Sequence, residues 1–274
     1  MGVTTIDQQR VIADLDAVWS SIAELVAGLD DAALDTPTCL PGWDVRAVVA
    51  HVIGTESMLL GDGAPPHELD PASSDHVRND IGKFNEAWVA SMPSAGVIDL
   101  VARLEDHRTR RLAALRAMDR DAWDAEGFTP AGRDSYGRFM RIRVFDCWLH
   151  EQDVRDAVGR PGHESGPAVE TTLDEMEAAL GYIVGKRAGA PAGARVRIEL
   201  TGDSGRTILV EVGERAMVVD GLTADPTVTL TMPVGVFTRL AAGRVAPAAV
   251  GEQVEIDGDE ALGQRIVDSL AFTI

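Results

Sequence analysis

SYGRFMRIRVFDCWLHEQDVRDAV (135–158) sets Phe139, Ile142, Asp146, His150, Asp153 and Ala157 three or four residues apart, the spacing of one helical face. Asp146 and His150 stand four apart within it, so their side chains project over adjacent turns. A second stretch, DVRAVVAHVIGTESMLL (44–60), also reads as a helix. Asp44 is a good N-cap, Trp43 before it can staple onto Val48, and Val45, Val48, Val52 and Leu59 mark a buried stripe. At about 100° per residue His51 falls about 60° from Val48 and Thr55 about 20° from it, which turns the imidazole toward the interior or its edge. Two ligands at i and i+4 and an imidazole from a neighbouring helix make a three-ligand metal site, and an open fourth position would make it catalytic.

The rest of the first half is helical by the same criterion. Val11, Leu15, Val18, Ile22, Leu25 and Leu29 recur along 6–29, and TPTCLPG (36–42) stops that helix. A polar, Pro-rich loop (61–74) leads to a weaker helix with Val77, Ile81, Phe84, Trp88 and Met92; Val97, Val101, Leu104, Arg108, Leu112 and Leu115 form another stripe after Pro93. A loop with Gly127, Pro130 and Gly132 precedes the 135–158 helix. Four long helices with one long crossover predict a four-helix bundle, a common home for metal sites built from facing helices. GRPGHESG (159–166) reads as a linker, giving domains of 1–162 and 163–274.

Beyond the linker the period changes. A helix over 168–186 is followed by alternation in 195–200 and 207–212 around the turn Gly202-Asp203-Ser204-Gly205, a β-hairpin. Further strands are expected at 216–219, 227–232 and 254–256, with helices at 234–242 and 260–270. The fold class is therefore α+β with two domains, the second carrying helices on one face of a mainly antiparallel sheet.

Composition narrows the function. A net charge of −19 argues against a nucleic-acid partner, which needs a basic surface. No run of about 18 apolar residues occurs, so no membrane span is expected, and MGVTTIDQQR lacks the basic start and apolar core of a secretory signal. Cys39 and Cys147 are too few for a disulfide framework or a thiolate zinc site, which fits a reducing cytoplasm. Phosphate-loop and G-x-S-x-G patterns are absent.

Each candidate has a plainer alternative. D-x-x-x-H pairs often make ordinary surface contacts, but here the surrounding face is apolar, where a lone carboxylate is costly. Asp153 is placed either to accept the second ring N–H of His150 or to pair with Arg143 or Arg155. Glu151 points off the ligand face and reads as solvated, and His67, His76, His107 and His163 read as surface residues. Cys147 lies about 100° from Asp146 around the helix and reads as packing.

LPGWDVRAVVAH (40–51) resembles the second-helix signature of mycothiol-dependent maleylpyruvate isomerase-like proteins, within the wider DinB helical superfamily, and RVFDCWLHEQDVRDAVGRPG (143–162) resembles their later ligand helix. TVTLTMP (227–233), FTRLAAGR (237–244) and VEIDGDEAL (254–262) are similar to the sterol-carrier-like C-terminal domain of the same family. The resemblance implies a DinB-like bundle, a zinc site of His51, Asp146 and His150, and mycothiol as the thiol cofactor. It places aspartate where the characterised isomerase pattern has glutamate. It also implies a functional arginine from the second domain, for which Arg239 and Arg244 are the candidates; Arg244 is favoured because the turn after Leu240-Ala241-Ala242-Gly243 could expose it. The expected function is a cytoplasmic isomerase or thiol S-transferase acting on a small electrophilic, maleylpyruvate-like substrate. The alternative is a non-catalytic protein that binds a metal or a small ligand. Oligomeric state is left open.

Overall fold

The computed structural model describes residues 2–63, 65–66, 77 and 80–273. The expected loop over 61–74 lies largely outside these residues, as do His67 and His76. The chain divides into two compact units, Met1–His163 and Glu164–Ile274.

In the first unit, α1 (Gln8–Ala27) starts at Asp7, whose carboxylate caps the Arg10 N–H. Its apolar stripe from Val11 to Val26 is buried. α2 (Val45–Leu59) starts at Asp44, which accepts from Ala47 N at 2.8 Å. This helix is buried on nearly every side, because it contacts α3 (Asp80–Ser91), α4 (Val97–Ala117) and α6 (Tyr136–Ala157). α1 packs against α4 and α6. A short α5 (Arg120–Trp123) buries Trp123 completely. The expected loop around Gly127 and Gly132 is instead a hairpin, β1 (Glu126–Thr129) with β2 (Gly132–Ser135). Its turn uses Gly132 at φ +109°, a backbone open to glycine. β2 runs directly into α6, whose cap is Ser135: its Oγ accepts from Arg138 N at 3.0 Å.

In the second unit, α7 (Pro167–Tyr182) precedes a five-stranded sheet. The strands are β3 (Arg195–Thr201), β4 (Thr207–Val212), β5 (Ala216–Val218), β6 (Val228–Pro233) and β7 (Glu255–Gly258), in spatial order β5-β4-β3-β6-β7. Three neighbour pairs are antiparallel, and the central β3–β6 pair is parallel. Along β3, β4 and β6 alternate residues are buried, the signature of a sheet with one covered face. α7, α8 (Val234–Ala241) and α9 (Glu260–Ser269) supply the contacts to these strands.

Candidate metal centre

His51 sits at the middle of α2, and Asp146 and His150 one turn apart on α6, which packs against it. The three residues bring ligand atoms within 4.8 Å of one another. Nε2 of His51 lies 3.7 Å from Asp146 Oδ2, and Nε2 of His150 lies 3.7 Å from Asp146 Oδ1. The imidazoles meet edge to face with centroids 4.8 Å apart. Both are buried, whereas Asp146 keeps 33% of its side-chain surface open. The cluster is thus walled by α2 and α6 and reaches solvent on the aspartate side.

The electrostatics suit a cation. Burial lowers the His51 pKa below its ordinary 6.5, outweighing the pull of the nearby Asp146 carboxylate, so the ring is a neutral donor. Burial works against a charged Asp146, but the Arg143 guanidinium, His150 and His51 outweigh it and hold the carboxyl well below the usual carboxylate range. A neutral imidazole and an ionised carboxylate are the protonation states that metal ligands need.

Groups around the cluster fix the orientation of its members. Asp153, 2% exposed, holds His150 Nδ1 at 3.0 Å, which directs the lone pair of Nε2 to the cluster. Of the two roles open to Asp153, this is the one realised: Arg155 bonds Glu151 and Ser21, and Arg143 bonds Glu56 and Asp146. The thiol of Cys39 donates to Asp153 Oδ1 at 3.3 Å. The Trp43 ring lies 5.1 Å from that of His51 and 6.2 Å from that of His150, and its Nε1–H donates to Glu86 Oε1 on α3 at 2.7 Å. By contrast His51 Nδ1 is buried and has no hydrogen-bond partner among the described residues.

Three expectations need correction. Glu151 is fully buried rather than solvated: it accepts from Ser21 Oγ at 2.6 Å and Arg155 Nε at 2.7 Å, and meets His163 Nδ1 at 2.7 Å. The helix face opposite the ligands is covered by α1, so an acid there needs partners from α1 and from its own next turn. His163 is consequently half-buried, with its carbonyl also accepting from Trp148 Nε1 at 2.8 Å. His107 is half-buried as well, its ring nitrogens 2.6 Å from Ser57 Oγ and 2.7 Å from the Arg103 carbonyl.

Glu56, Arg111 and Arg143 were not anticipated and form a buried ion network beside the cluster. The available signal was a glutamate in a helix otherwise apolar around it. Cys147 is buried, and burial pushes its thiol up to about 12 against the pull of Arg143. In the second unit Arg239 Nη1 donates to Glu164 Oε1 at 2.9 Å. Arg244 follows Gly243, at φ +69°, and its Nη1 donates to the Ala242 carbonyl at 3.0 Å.

A helical unit with a two-histidine, one-carboxylate cluster, joined to a unit built on a mixed sheet, defines the class. The family model for the mycothiol maleylpyruvate isomerase N-terminal domain matches residues 15–155, and the model for the C-terminal domain of the same enzymes matches 170–265. The chain belongs to the mycothiol maleylpyruvate isomerase family. Its fold is similar to that of a solved mycothiol-dependent maleylpyruvate isomerase, with a TM-score of 0.55 at 17% identity over 93% of this chain and 96% of that one. A substituted variant of that enzyme gives a TM-score of 0.56 at 18% identity over the same shares. No curated protein matches the chain by sequence.

Proposed function

We propose that this chain is a cytoplasmic, zinc-dependent and mycothiol-dependent isomerase or S-transferase for a small electrophilic substrate of the maleylpyruvate type. The observation that carries the reading is the convergence of His51, Asp146 and His150 within a family that takes its name from this reaction. The donor set fits the group: two nitrogens and one oxygen make a three-ligand set typical of catalytic zinc. Zinc, when bound, supplies a thiolate near neutral pH, and mycothiol is the thiol that would add to an activated double bond and leave after rotation, or remain attached.

The chain's own residues then have defined tasks. His51 offers a neutral ring nitrogen, Asp153 orients the His150 ring through Nδ1, and Asp146 supplies negative charge. Cys147 stays protonated and enclosed, and Cys39 points its thiol at Asp153, so neither serves as the nucleophile. Arg244 is our candidate partner for a substrate carboxylate, through the fork geometry of its guanidinium.

The Cys39→Ala/Cys147→Ala double variant should therefore keep mycothiol-dependent turnover of a maleylpyruvate-like acceptor, and His51→Ala should lose it. Turnover that needs a protein cysteine, or that runs equally fast without added thiol, would refute the mechanism.

A further inference from the structure

Arg143 is 4% exposed and lies one turn before Asp146 on α6. Its Nε and Nη2 both donate to Glu56 Oε1, at 3.0 and 2.8 Å, and its Nη1 donates to Asp146 Oδ2. Glu56 Oε2 accepts from Arg111 Nε at 2.7 Å, and Arg111 reaches on to Tyr136 Oη at 3.3 Å and Met140 Sδ at 3.2 Å. The result is a chain of alternating charge, Arg111–Glu56–Arg143–Asp146, whose first three members are buried and whose last is the carboxylate of the cluster. Buried ion networks are poor sources of stability compared with apolar packing of the same volume. Its terminus at Asp146 gives this one a use.

A carboxylate can give a metal one oxygen or two. Two oxygens from Asp146 with two imidazoles would fill the four positions of a tetrahedral site, so that a reactant or water could join only as a fifth ligand. Arg143 engages Oδ2, and Glu56, itself held by Arg111, keeps the guanidinium from turning away. We propose that Arg143 is a positioning residue that makes Asp146 a one-oxygen ligand, through Oδ1, and so keeps a coordination position open. This rests on the reading of His51, Asp146 and His150 as ligands.

The test is the visible absorption of the cobalt(II)-loaded full-length chain, with bound cobalt counted by elemental analysis. Cobalt(II) absorbs strongly at low coordination number and weakly when a further ligand joins. Arg143→Met frees Oδ2, so the absorption per bound cobalt should fall below that of the wild type. Glu56→Gln removes the charge that anchors Arg143 while keeping the side-chain shape, and should shift the spectrum the same way by less. Where Arg143→Met does not fold, Glu56→Gln decides. Wild-type absorption per cobalt in the folded variants overturns the proposal while leaving the ligand assignment standing. Absence of cobalt binding in the wild type, or undiminished binding in His51→Ala, overturns the ligand assignment and the proposal together.

Discussion

His51 gains its donor character from enclosure, and the same enclosure makes it sensitive to acid. The unfolded chain takes a proton on this imidazole near the ordinary 6.5, and the folded, metal-free chain only at lower pH. The unfolded state therefore binds more protons below 6.5, so stability is complete above that pH and declines as pH falls through the depressed value. Thermal melts of the metal-free protein from about pH 7 to 5 should show a falling Tm, with a shallower fall in His51→Gln. Equal slopes in the two proteins would remove His51 as the cause. The cluster of His51, Asp146 and His150 was legible in the sequence, because an i, i+4 pair on an apolar face is a local pattern. The residues around it were not: the sequence offers Arg143 only Asp153 as a partner, and Glu56 comes beside it through the packing of α2 on α6. Glu151 reads as solvated for the same reason, since its partners Ser21 and His163 come from other parts of the chain.

At the scale of elements, α2 and α6 hold the candidate ligands, and α3 contributes one wall of the cluster. Glu86 of α3 holds the Trp43 indole against both imidazoles, and Trp88 of α3 packs directly on Gly54 of α2. A Cβ at Gly54 would overlap the root of the Trp88 side chain, which cannot swing aside as a flexible tip could. Gly54→Ala should destabilise the protein by about 1–3 kcal/mol of overpacking, offset by about 1 kcal/mol of helix propensity. Chemical denaturation measures it, and a variant more stable than the parent would show that α3 does not rest on this contact. Helix and strand existence followed from periodicity in both halves, with capping residues such as Asp44 marking where helices begin. The β1–β2 hairpin did not, because its strands are four residues each and too short for alternation to register. The parallel alignment of β3 and β6 was hidden as well, since strand pairing over about thirty residues leaves no mark in either strand.

At the scale of the whole molecule, the two family models fall on the two compact units, and all three candidate ligands belong to the first. Among the described residues no helix is long and apolar enough to cross a membrane. The net charge of −19 makes the chain strongly acidic, and Asp146 brings an ionised carboxylate to the cluster. The proposed function requires that cluster to hold a metal, and elemental analysis of the purified full-length protein tests this most directly. It predicts about one divalent ion per chain, zinc, with the content falling sharply in both His51→Ala and His150→Ala; metal content unchanged in both variants, or a wild-type protein that takes up no zinc, would contradict it.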